Sequence, residues 1–210
     1  MNWIDSAGGP LIVLPLSHLL LWEGSLPPSA GRIVEATFRW NPESGTATDY
    51  DSACDVDDLI GLINLGDLEV LVLGDQPLST AWLPFADRPG GVFVRWYYGE
   101  NEESVSSRQT EMLECETGEP EVTLHVRSSP LLVFDSAIAG FELDKSERLL
   151  LELTPGTYHI GSAEFNPDSM TSMLLHRIEL ISHETARKDG RKAKIVLGNA
   201  NHPGASGRQE

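Results

Sequence analysis

Basic residues are scarce in this chain: fifteen Lys and Arg stand against thirty-two Asp and Glu, a formal charge of −17 over 210 residues. Six of the fifteen lie beyond Ser182, so residues 1–182 hold nine basic side chains against twenty-nine acidic ones, a formal charge of −20. Nucleic acid and anionic membrane are poor partners for such a body, because a phosphate surface demands a basic footprint. A basic protein or a cation suits it better, although acidity also serves plain solubility.

Cysteine is nearly absent. Cys54 and Cys115 are the two present, far apart and outside any CxxC or His/Cys ligand spacing. That usage fits a reduced, cytoplasmic chain with two small thiols better than a disulfide-stapled secreted one. Long apolar runs are missing too, since nothing approaches the roughly eighteen residues of a membrane-spanning helix. The stretch Leu11 to Trp22 lacks the marks of an export signal: no Lys or Arg precedes it, Asp5 does, Pro15 interrupts it and no small-x-small site follows.

Catalytic signatures are equally sparse. The chain has no GxSxG elbow, Walker loop, GxGxxG, HExxH or paired CxxC. Six histidines are scattered, none beside a cysteine. His176-Arg177 could work as an acid–base pair with a remote carboxylate, but strand alternation puts neighbours on opposite faces and favours a structural role. The expectation is a chain that is not an enzyme and carries no cofactor.

What the sequence does have is β pattern. Leu11–Leu14, Ile33–Trp40, Glu69–Leu73, Val92–Tyr98, Val122–Val126, Leu131–Phe134, Leu149–Leu153, Tyr158–Ala163 and Met173–Ile181 have strand length and composition. Gly66-Asp67 and Pro155-Gly156 read as turns between such runs. Helix is limited to a surface segment at Asn101–Glu114 and short turns within Ser17–Trp22 and Tyr50–Leu59. The fold class expected is mainly β with minor α: a two-sheet, sandwich-like single domain over residues 1–182, with a few short helices. A weak internal repeat divides it into related halves at about 1–100 and 120–182. Gly9-Pro10-Leu11-Ile12-Val13 echoes Ser129-Pro130-Leu131-Leu132-Val133, and Arg95 and Arg177 follow their prolines in similar strands. Residues 183–210 are basic and poor in apolar side chains, so a disordered tail is expected there.

One acidic block stands out. Asp49, Asp51, Asp55, Asp57 and Asp58 crowd into Asp49–Asp58 and abut the apolar run Leu59–Ile63. Clustered like charges oppose compaction unless water or a cationic partner screens them. A calcium loop is one reading, yet the EF-hand pattern fails at its sixth and twelfth positions, which hold Cys54 and Ile60. Asp49 or Asp51 could instead cap a short helix. Trp3, Trp22, Trp40, Trp82 and Trp96 either fill the space between sheets or, where one or two lie exposed beside the block, supply a binding surface.

Several segments carry a resemblance. Trp3–Ile12, Trp22-Glu23-Gly24, Asp49–Cys54, Leu71–Asp75 with Pro77, Thr80 and Trp82, Gly90–Trp96, Pro130–Ser136 and Leu174–Arg177 resemble the immunity protein 21 family of bacterial polymorphic toxin systems, over roughly residues 3–182. The resemblance implies a mostly β cytoplasmic antidote that binds and neutralises a cognate toxin domain encoded beside it. None of these motifs is catalytic, and the family supplies no set of contact residues to carry over. Charge and aromaticity nominate Asp49, Tyr50, Asp51, Asp55, Asp57, Asp58, Trp22 and Trp82 as partner-binding residues. The alternative is a carbohydrate- or calcium-binding β-sandwich module, motivated by the same tryptophans and carboxylates.

Overall fold

A computed structural model describes residues 1–27, 36–40, 42–74 and 76–183. In chain order the strands and α-helices are β1 (Trp3–Ile4), β2 (Leu11–Pro15), α1 (Asp49–Cys54), β3 (Ile60–Leu65), β4 (Leu68–Leu73), β5 (Thr80–Pro84), β6 (Gly90–Tyr98), α2 (Glu102–Ser106) and α3 (Gln109–Glu114). There follow β7 (Val122–Val126), β8 (Leu131–Asp135), β9 (Leu149–Leu151), β10 (Gly156–Asp168) and β11 (Thr171–His183). A 3-10 turn over Leu16–Leu21 follows β2 directly. The chain is mostly β, as its sequence leads one to expect.

Two antiparallel sheets form, of six strands in the order β1-β5-β6-β11-β10-β7 and of five in the order β3-β4-β2-β8-β9. Their facing surfaces meet in one core that includes Leu11, Val13, Leu71 and Val133 from the smaller sheet and Phe93, Tyr158, Ile160 and Ile178 from the larger. The outer faces are covered as well. Ile12, Leu14, Val70, Val72, Leu132 and Phe134 pack against Trp22 and Ala53, and Val92, Val94, Met173 and Leu175 pack against Val105 and Met112 of the helices. Burial on both faces explains why Leu11–Leu14 and Leu131–Phe134 are unbroken apolar runs and do not alternate.

The six-stranded order divides evenly about its centre, whereas in the five-stranded order β3 has no counterpart. β1-β5-β6 stands opposite β11-β10-β7 across the β6–β11 pairing, and β4-β2 opposite β8-β9 across the β2–β8 pairing. The two arginines of the sequence repeat do not fall in matching places. Arg95 pairs with Leu174 and Arg177 with Val92, so by alternation they point to opposite faces of the same sheet.

Most strands lie where the pattern puts them, and several assignments change. Ala36–Trp40 is bend and coil, not strand, while residues 33–35 lie outside the described residues. The helix expected over Asn101–Glu114 is two short ones, each closed by its own hydrogen bonds; Asn101 caps the first through its side chain, 2.9 Å from the Ser104 amide. Ile60–Ile63 of the apolar run lie in β3, and β3, β1 and β5 are strands beyond those the pattern names. The tail expected at residues 183–210 lies outside the described residues beyond His183.

Candidate functional site

The acidic block folds into α1 and the loop after it, and its first carboxylates turn inward. Thr48 caps α1: its hydroxyl accepts from the Asp51 amide at 3.1 Å, while Asp51 Oδ2 accepts from the Thr48 amide at 2.6 Å. This reciprocal capping box satisfies amides that a helix start leaves open. Asp51 Oδ1 also accepts from the Trp40 amide. Asp49 Oδ2 accepts from the Glu23 amide at 2.7 Å. Asp55 binds the Thr37 hydroxyl at 2.8 Å and the Phe38 amide at 2.6 Å, together with the Thr37 amide. Burial pushes the Asp55 carboxyl up, but the Phe38 and Thr37 hydrogen bonds outweigh it and hold the group below its ordinary value.

The residues nominated from sequence differ in exposure, and Tyr50 is buried at 9% accessibility. Asp49 and Asp51 are buried and hydrogen-bonded within the fold, Asp55 is half-buried, and Asp57 and Asp58 are exposed. Trp22 is fully buried, with Nε1 donating to the Ser136 carbonyl at 2.9 Å. Trp82 is half-buried on β5, its ring 4.8 Å from that of Phe93, and packs against the core between the sheets. Large β cores claim tryptophans because each removes much apolar surface from water.

Two aromatics lie exposed beside the block, Phe38 at 46% and Trp40 at 61%, and the Trp40 ring stands 5.6 Å from Tyr50 and perpendicular to it. Sequence reasoning had placed Trp40 in a strand, and its neighbour Tyr50 was the only one of the pair nominated. Burial raises the Tyr50 hydroxyl to about 12, with the adjacent Cys54 side chain adding to the shift. Cys54 and Cys115 are both free thiols.

Around this pair lies a concave site of about 250 Å³, lined by Ala7, Gly8, Gly9, Ser25, Trp40, Tyr50, Asp135 and Ala137. Asp135 ends β8 and anchors its floor, accepting from the amides of Ala7 at 2.6 Å and Ala137 at 2.8 Å. The Tyr50 amide donates to Gly24 O at 3.1 Å, and the Gly140 amide donates to Trp22 O at 2.9 Å. Gly24 has φ +60°, and a Cβ there would meet the Ala137 carbonyl at 2.5 Å, so only glycine fits. Four segments distant in sequence, 6–10, 22–25, 48–51 and 135–137, thus converge on one small cavity. All four include residues on which the family resemblance was drawn.

A model of immunity protein 21 matches residues 2–171. The chain belongs to the immunity protein 21 family. No curated protein and no solved structure matches it.

The remaining polar cluster of note sits at the edge of this immunity protein's inter-sheet core. His176 Nδ1 lies 2.8 Å from Ser162 Oγ, which in turn donates to Glu121 Oε2 at 3.0 Å. A histidine and a carboxylate do converge, then, as an acid–base site would require. His176 is nonetheless fully buried, and burial, followed by the nearby Arg95 charge, lowers it to about 3. It stays neutral at physiological pH, and the Ser162 hydroxyl between it and Glu121 is tied to both. Arg177 points the other way, donating to the Leu113 carbonyl at 2.7 Å and to Glu179 at 3.0 Å. Among the described residues, no three His, Cys, Asp or Glu side chains are arranged to hold a metal ion, and no helix is long and apolar enough to cross a membrane.

Proposed function

We propose that this immunity protein is a non-catalytic, cytoplasmic antidote that binds and neutralises a cognate polymorphic toxin domain encoded beside it, through an acidic surface. The observation that carries the reading is the family match over residues 2–171. The −20 charge of residues 1–182 supports it, because a basic toxin surface would be drawn quickly to such a body and could be occupied in place of its own anionic target. Charge sets rate and selectivity, and affinity comes from a buried centre within an interface of roughly 1,200 to 2,000 Å². In this reading Asp57 and Asp58, the exposed aspartates of the block, form part of the charged surface.

The reading also takes residues 1–182 as one domain made of two related halves, supported by the order of the six-stranded sheet, where β1-β5-β6 stands opposite β11-β10-β7. Co-expression with the neighbouring toxin domain is the test. Growth should be restored and the two proteins should co-purify; toxicity that persists at full expression, with no complex in a pull-down, would refute the antidote role.

A further inference from the structure

We infer that the cavity beside Trp40 is a socket for one basic side chain, lysine or arginine, of the partner protein. The inference rests on the antidote reading and names the surface through which it works. Trp40 leaves most of its ring uncovered although its backbone is fastened to Asp51. Its ring and that of Tyr50 meet at 90°, forming an aromatic corner. Aromatic faces attract a cation through their quadrupole, and tryptophan does so best. The lining also includes Asp135, buried to 3% accessibility, and among the described residues no Lys, Arg or His.

Asp135 is held in place before any partner arrives. Its two oxygens accept from the Ala7 and Ala137 amides, with Ser6 Oγ at 3.4 Å. A carboxylate offers about four acceptor positions, so capacity remains for a donor entering from the cavity. An aromatic corner over a fixed carboxylate suits an organic cation on a long apolar stem, because the stem packs on the rings while the head reaches the charge. The acidity of the whole body points to a basic partner in the same sense.

The test uses this full chain and the neighbouring toxin domain carrying an inactivating substitution, with affinity measured by calorimetry. Trp40→Ala should weaken binding on the order of ten- to thirtyfold, as loss of a central aromatic does. Ala7, exposed at the rim, provides the sign. Ala7→Lys places a competing cation at the socket and should weaken binding at least about tenfold, whereas Ala7→Glu should bind as tightly or more so. Thermal melts of the three variants verify that they fold. Unchanged affinity in Trp40→Ala, or equal losses in Ala7→Lys and Ala7→Glu, overturns the socket while leaving the antidote reading intact. A wild-type chain that fails to bind the toxin at all overturns both.

Discussion

Tyr50 packs so closely on Gly9 that a Cβ at that glycine would stand 2.5 Å from Tyr50 Cε2. The contact ties the first turn of α1 to the segment leading into β2, and so joins two of the motifs that frame the cavity. Tyr50 in turn positions Trp40. A backbone without a side chain is therefore what lets the aromatic corner form.

Gly9→Ala should accordingly destabilise the fold, because the ring of Tyr50 has to move and takes its neighbours with it. Overpacking of this kind costs about 1–3 kcal/mol. Urea denaturation checks the loss, and Gly9→Ala should cost less in a Tyr50→Ala background than in the wild type. A fully additive double variant would show that the two residues do not share the strain.

Asp55→Asn isolates the carboxylate that holds Thr37 and Phe38. Its folded pKa lies below the ordinary 3.8, so its stabilisation is complete above that value and is lost as pH falls through the folded value. The half-exposed site limits the effect at pH 7 to about 1 kcal/mol. The gap between wild type and variant should close on acidification below pH 4, which melts run at pH 7 and pH 3 will show.

Strand positions were legible because period and β-branching leave a direct mark: β2, β7 and β8 fall almost residue for residue where the apolar runs lie. The partner surface was less legible. A run of five aspartates looks like solvated charge, yet Asp49, Asp51 and Asp55 each accept hydrogen bonds from backbone amides of other segments. Only the tertiary fold reveals those amides. Trp22 and Trp40 are chemically alike in the sequence, and what separates them is that the outer face of the smaller sheet closes over one and leaves the other in water. Asp135 lies in the Pro130–Ser136 motif, but nothing in the sequence sets it apart from so many acids, because its role depends on Ala7 reaching it from 128 positions away.

His176 provides a pH signature. Its folded value of about 3 lies far below the ordinary 6.5, because burial penalises the imidazolium and Arg95 repels it. The unfolded chain therefore takes up the proton first. Stability is full above pH 6.5 and should fall as the pH drops below it, at roughly 1.4 kcal/mol per unit for this group. His176→Gln removes the dependence, so whatever the substitution costs at pH 8 should shrink steadily toward pH 4.5. An NMR titration of wild type should find the ring neutral at pH 5, and a midpoint near 6.5 in the folded state would contradict the buried geometry.

Association kinetics separate exposed charge from buried charge within the one acidic block. Long-range steering depends on the summed surface field and is screened over a Debye length of about 8 Å at physiological salt. Asp57→Asn with Asp58→Asn removes two exposed charges. At low ionic strength the pair should slow toxin association by about two- to threefold, with dissociation unchanged and the difference gone at high salt. Asp51→Asn should behave otherwise. Its carboxylate holds the Thr48 and Trp40 amides, so a change there disturbs the α1 cap and the placement of Trp40, and the loss should appear in thermal stability and in the dissociation rate. Stopped-flow measurements across a salt series resolve the two behaviours. An unaltered on-rate in the Asp57, Asp58 double variant would remove that end of the block from the encounter surface and leave the socket beside Trp40 to be approached from another side.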